Sequence, residues 1–185
     1  SFFFWSTAAL SAMQGFAGPA MQVIYGLPLT VTAYVVTGYM VCGALGMLVG
    51  GFLTSKSAPL ERIIAIGFCA AAALLAVVGL GVLPPMVAVA TASLAGFATG
   101  LAGPSRDMLI KRAAPPGATG RVYGTVYSGL DLGFALAAPF FGAILDRGMP
   151  SGVFYGAGAM LMIGVASAAM VGVQLRLRVS ATVST

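Results

Sequence analysis

The sequence has no histidine and very little charge: nine basic and four acidic side chains in 185 residues, 7% of the total, against 59% that are hydrophobic. A soluble domain carries about 25% charged residues, and so sparse a set cannot coat a globular surface of this size. The missing imidazole removes chemistry built on a histidine base or ligand. Two cysteines embedded in apolar runs cannot form a disulfide framework. High hydrophobicity with low charge density is the reverse of the composition of a disordered chain. The net charge of +5 would favour nucleic acid only if the basic residues clustered on one soluble face. They lie instead in short gaps between apolar runs, so nucleic acid is not an expected partner. What is abundant is membrane-spanning sequence, and the bilayer is the first expected partner.

A helix needs about 20 apolar residues to cross the hydrocarbon core. Polar, proline or charged boundaries mark six such runs: Phe2 to Ile24, Val31 to Leu53, Ile63 to Leu83, Met86 to Ser105, Val122 to Leu145 and Val153 to Leu175. The links between them are too short for an extramembrane domain, so the expectation is one all-α, polytopic domain over residues 1–185. If the amino terminus is cytoplasmic, the inner gaps hold Lys56, Arg62, Arg106, Lys111, Arg112, Arg121, Arg176 and Arg178, with Arg147 alone outside. Orientation follows this bias of Lys and Arg in short loops. Both termini are therefore expected in the cytoplasm, with the chain in the cell (inner or plasma) membrane. The start at Ser1-Phe2-Phe3-Phe4, with nothing basic ahead of it, is read as the beginning of a piece of a longer chain.

The two halves of the sequence resemble each other. Gly15-Phe16-Ala17-Gly18-Pro19-Ala20 in the first span recurs as Gly100-Leu101-Ala102-Gly103-Pro104-Ser105 in the fourth. Thr37-Gly38, Ala44-Leu45 and Gly51-Phe52-Leu53 fall opposite Ser128-Gly129, Ala135-Leu136 and Gly142-Ala143-Ile144. The two triplets enter the membrane from opposite sides, as in an inverted repeat, which predicts a three-plus-three bundle. Gly46 with Gly50, Gly96 with Gly100, and Gly129 with Gly133 are spaced to let helix backbones approach closely.

Polar side chains are concentrated in four spans. Thr7, Ser11, Gln14, Gly18 and Gln22 recur at steps of three or four and share one face of the first. Tyr123, Tyr127 and Asp131 do so in the fifth, with Ser128 beside them, Thr30, Tyr34 and Thr37 make a shorter stripe in the second, and Thr91, Ser93 and Thr99 scatter over the fourth. The third and sixth spans are nearly free of such groups and are expected to face lipid. A water-accessible cavity among the first, second, fourth and fifth spans follows, with interhelical hydrogen bonding by Ser and Thr as the alternative reading. Candidates for its functional groups are Asp131, Gln14, Tyr127, Ser11, Tyr34 and Arg106. Asp131 is the one acid near the middle of a span, where an ionised carboxylate costs roughly 2.5–3.5 kcal/mol to insert. It is placed to exchange a proton or pair with a cationic substrate; the alternative is a structural ion pair with Arg106 or Arg121. Arg106 is read first as a topology anchor and second as part of a kink after Gly103-Pro104, and Gly18-Pro19 in the first span is the corresponding candidate kink.

These features together resemble the carboxyl-terminal half of a major facilitator superfamily transporter. Gly50-Gly51-Phe52-Leu53-Thr54-Ser55-Lys56 is similar to the family's Gly-x-Leu-Ala-Asp-Arg loop motif, with Ser55 for the acid and Lys56 for the arginine. Gly142-Ala143-Ile144-Leu145-Asp146-Arg147-Gly148 is similar to the same pattern. The resemblance implies that the first and fourth spans line a substrate path, the second and fifth contact another six-helix half, and the third and sixth face lipid. It also implies a small-molecule substrate and a secondary transporter working by alternating access. Alternatives are an intramembrane enzyme, for which candidate serines Ser11, Ser93 and Ser128 lack a base, and a non-catalytic assembly subunit. An ATP-driven permease would need an acidic coupling motif, which Arg112-Ala113-Ala114-Pro115-Pro116-Gly117 lacks. No phosphate-binding loop occurs, and neither a cofactor nor a metal is expected.

Overall fold

The computed structural model describes residues 2–55, 60–113 and 119–183 and is helical throughout its elements. Seven helices follow one another: α1 (Phe2–Gly15), α2 (Ala17–Tyr25), α3 (Leu29–Ser55), α4 (Leu60–Gly79), α5 (Pro85–Ala113), α6 (Thr119–Asp146) and α7 (Ser151–Val183). Five of them, α3 to α7, are long and apolar enough to cross a membrane. The second to sixth expected spans correspond to these five helices.

The first expected span is not one helix. It is interrupted at Phe16, whose φ of −123° and ψ of −15° leave the helical region, giving segments of 14 and 9 residues. Pro19 supplies the reason. It has no N–H to offer the Gly15 carbonyl, and its ring crowds that carbonyl. The same Gly-x-x-Gly-Pro sequence does not break α5, which runs through Pro104 for 29 residues. Neighbouring helices can re-satisfy a freed carbonyl inside a membrane bundle, and α5 packs closely on both α3 and α4.

Three turns among the described residues have a glycine in the left-handed region, at Gly26, Gly81 and Gly148. Gly26, at φ 62°, closes α2, and Leu27-Pro28 leads into α3. Gly148, at φ 72°, ends α6, where its N–H bonds the Leu145 carbonyl at 2.9 Å and the Met149 N–H bonds the Ile144 carbonyl at 3.2 Å. That pair of bonds is a Schellman cap. Pro85 opens α5, at a position where a missing N–H costs nothing.

The principal packings are α3 on α5, α5 on α4, α4 on α7, α7 on α1, and α1 on α6. Lipid tails are as apolar as leucine, so such contacts form by close van der Waals approach and not by expulsion of water. The buried faces are accordingly small: Ala88, Ala92, Ala95, Ala98 and Ala102 on α5, and Ala8, Ala9, Ala12, Ala17 and Ala20 on α1 and α2. Glycines form the α3–α5 seam. A Cβ at Gly46 would strike the Phe97 carbonyl, one at Gly50 the Leu101 carbonyl, one at Gly96 the Tyr39 carbonyl and one at Gly100 the Gly43 carbonyl. Gly133 is closed against the Phe4 carbonyl, whereas Gly129 has open space around it, so of the third expected pair only Gly133 is at a packing surface. Larger side chains fill the α4–α7 side, among them Ile64, Phe68, Leu75, Val153, Phe154 and Leu161.

The faces that remain uncovered are mostly on α3 and α6. Tyr34, Val41, Leu45, Leu48 and Phe52 project from α3, and Tyr127, Leu132, Leu136 and Phe140 from α6. By contrast α4 is half buried, with Ile66, Cys69, Ala70 and Ala73 along its open side. The two apolar helices expected to face lipid therefore also supply much of the packed interior.

Candidate functional site

A cavity of about 280 Å³ opens between α1, α3 and α5, with Phe68 of α4 and Leu161 of α7 behind it. Ser6, Leu10 and Gln14 reach it from α1, at steps of four residues that share a helical face. Tyr39, Met40 and Met47 reach it from α3, and Thr99 and Arg106 from α5. The seam glycines Gly43, Gly100 and Gly103 form its floor, because a bare backbone leaves room where a side chain would fill the space.

Its polar groups fall at two levels. At one, the Tyr39 and Thr99 hydroxyls lie 3.0 Å apart, and the Thr99 hydroxyl donates to the Gly96 carbonyl at 2.8 Å. Next to them the Gln14 amide donates to the Met40 sulfur at 3.3 Å, a weak acceptor. At the other level the Arg106 guanidinium lies 4.5 Å from the centre of the Phe3 ring. Its Nε donates to the Asp107 carboxylate at 3.3 Å. The Arg106 side chain is 20% exposed and that of Asp107 60%.

Of the six residues proposed from sequence, the structure brings Gln14 and Arg106 together in this cavity. Ser11 lies elsewhere: it is buried, and its hydroxyl donates to the Phe134 carbonyl of α6 at 3.4 Å. Tyr34 is 67% exposed and Tyr127 57%, both on the uncovered faces of α3 and α6. Asp131 is exposed on α6; Arg106 has Asp107 as its ion-pair partner, and the Arg121 side chain lies outside the described residues. The polar stripe of the first span is thus divided. Thr7 donates to the Phe3 carbonyl at 2.7 Å, Ser11 ties α1 to α6, a Cβ added at Gly18 would lie in ordinary contact with Thr32, Gln22 is exposed, and Gln14 alone reaches the cavity. A shift of one position produced this outcome, since the cavity-facing row is Ser6, Leu10 and Gln14. Its middle member is apolar, so a search for consecutive polar residues passes over it. Tyr39 and Ser6 were not singled out from sequence. Thr99, two turns before Arg106 on α5, belongs to the polar set scattered over the fourth span.

Lys56 falls outside the described residues, as do the side chains of Arg112, Arg176 and Arg178. The loop motif at Gly50–Lys56 is therefore described only as far as Thr54, whose hydroxyl donates to the Gly51 carbonyl at 2.7 Å. In the second copy, Gly148 is the residue that caps α6.

A bundle of apolar helices with seams of glycine and alanine, enclosing a small cavity with few polar groups, is the architecture of a multi-pass membrane protein. Residues 1–181 match the sequence model of the Major Facilitator Superfamily, and the chain belongs to that family of membrane transporters. No curated protein and no solved structure matches it.

Proposed function

We propose that the chain is one six-helix half, the carboxyl-terminal one, of a secondary active transporter that moves a small solute by alternating access. The observation that carries this reading is the cavity between α1, α3 and α5, two of whose walls, α1 and α5, are helices that the repeat makes equivalent. Taking α1 and α2 as one span, exchange of the first three spans with the last three turns the α3–α5 packing into α6–α1, and α4–α5 into α7–α1, while α4–α7 maps onto itself. All of these packings are present, which supports a three-plus-three inverted repeat. At 1.5 Å per residue, α1 and α2 joined end to end reach about 35 Å, enough for a hydrocarbon core of about 30 Å. The second half covers the open faces of α3 and α6. Both termini face the cytoplasm, in the cell membrane.

In this arrangement Asp131, near the middle of α6 and on its uncovered face, meets the second half and supplies the proton-coupling carboxylate. Intramembrane acids are costly and mark ion or substrate pathways. The test is flux in liposomes under an imposed pH gradient together with melting in detergent. Asp131→Asn is expected to melt as the parent does and to lose gradient-driven flux while exchange persists. Unchanged gradient-driven flux would remove Asp131 from the coupling step.

A further inference from the structure

We infer that the solute taken up by this cavity is a small organic anion, its oxyanion head held by Arg106 and its largely apolar body reaching toward Gln14. This names the substrate class for the transporter reading above and rests on it.

Charge comes first. Among the described residues, Arg106 is the one cation lining the cavity, and no acid lines it. A cationic solute would meet repulsion and no counter-charge. A polyhydroxylated neutral solute would leave most of its hydroxyls unpaired against Leu10, Met40, Met47, Phe68 and Leu161, which disfavours its burial.

The guanidinium is also held in a pose that leaves its anion-binding edge open. Phe3 covers one face at 4.5 Å, and Asp107 takes the Nε hydrogen. The four Nη hydrogens have no protein acceptor among the described residues. They form the fork that matches a carboxylate or phosphate. Asp107, 60% exposed, is too solvated to hold Arg106 firmly, because solvent weakens an exposed ion pair. A ligand oxyanion inside the cavity is therefore the stronger partner.

The length follows from the helices. Phe3, at the start of α1, meets Arg106 near the end of α5, while Gln14 meets Met40, the neighbour of the Tyr39 that bonds Thr99. So α1 and α5 run antiparallel, and the two polar levels are separated by the rise from Thr99 to Arg106, about 10 Å. At the far level the Tyr39 and Thr99 hydroxyls are occupied with each other and with Gly96. Gln14, bonded only to a thioether among the described residues, keeps an amide to offer a distal hydroxyl or carbonyl.

Four probes of similar length separate the possibilities: 6-hydroxyhexanoate, hexyl phosphate, 1,6-hexanediol and 6-aminohexanol. Binding is read by calorimetry and melting of the intact protein in detergent. The two anions are expected to bind and raise the melting temperature, and the diol and amine to do neither; which anion binds more tightly distinguishes a carboxylate from a phosphate ester as the head. Arg106→Gln should weaken anion binding about 10-fold or more, since hydrogen bonds to a charged group are worth roughly 1.5–3 kcal/mol. Arg106→Lys should restore part of it, because it keeps the charge without the fork. Asp107→Asn should tighten binding, and this variant keeps the test decisive if Arg106→Gln does not fold. Binding of the amine or diol in preference, no binding of any probe, or anion binding indifferent to Asp107→Asn and Arg106→Lys would overturn the inference. Flux in liposomes separates it from the transporter reading. Anions that bind but never cross leave the anion site and remove the transporter; an amine or diol that crosses with no effect of Arg106→Lys does the opposite.

Discussion

The glycines of this chain are not interchangeable, and the difference is set by what lies a few ångströms beyond each Cα. At Gly100 an added methyl would enter the Gly43 carbonyl, which belongs to the backbone of a neighbouring helix and cannot swing aside. At Gly129 the methyl would meet nothing. Gly100→Ala is therefore expected to destabilise the protein by about 1–3 kcal/mol, the usual cost of overpacking. Gly129→Ala should be neutral or stabilising by up to about 1 kcal/mol, from helix propensity alone. Melting in detergent of the two single variants compares them directly, and an equal loss would mean that the α3–α5 seam is not the tight contact described. Both glycines sit in small-xxx-small patterns of the same form. The pattern marks positions where close approach is possible, and only the fold decides where it happens.

At the scale of the element, length and hydropathy do not disclose the break at Phe16, and the sequence marks it only as a candidate kink at Gly18-Pro19. Phe2 to Ile24 reads as one continuous apolar run, and Pro19 within it has an equivalent in Pro104, which α5 accommodates. The difference lies in the packing around each proline and not in local sequence. Pro19→Ala restores the N–H that the Gly15 carbonyl lacks, and α1 and α2 are expected to fuse into a straighter helix. Spin labels at Trp5 and Val23 should then report a longer and narrower distance distribution than in the parent. An unchanged distribution would place the cause of the break elsewhere than Pro19. The other helices were legible because their signals are long, runs of about 20 apolar residues with polar, proline or charged boundaries. The cavity was less so. Arg106 and Gln14 stand out as polar groups in or near apolar spans, but Tyr39 and Thr99 are of types that more often serve as packing or interface residues. Ser6 lies in a row whose central member is Leu10. Asp131, Tyr34 and Tyr127 are prominent by residue type, and the fold sets them on surfaces that this chain does not itself cover.

At the scale of the whole molecule, the proposed orientation rests on the bias of Lys and Arg toward one set of gaps between the spans. Lys111, exposed at the end of α5, and Ser151, at the start of α7, lie at opposite ends of the bundle's spans. Cysteines replacing them should react with an impermeant maleimide from the cytoplasmic side for Lys111→Cys and from the external side for Ser151→Cys. Reaction of both from one side would overturn the six-span topology. The central claim is that the cavity between α1, α3 and α5 is exposed to each side of the membrane in turn. The most direct test is alkylation of Gln14→Cys, in an otherwise cysteine-free background, by an impermeant reagent applied to each face of sealed membranes. The account predicts reaction from both sides, slowed from both by a bound solute. Reaction from one side only, under every condition that supports flux, would contradict it.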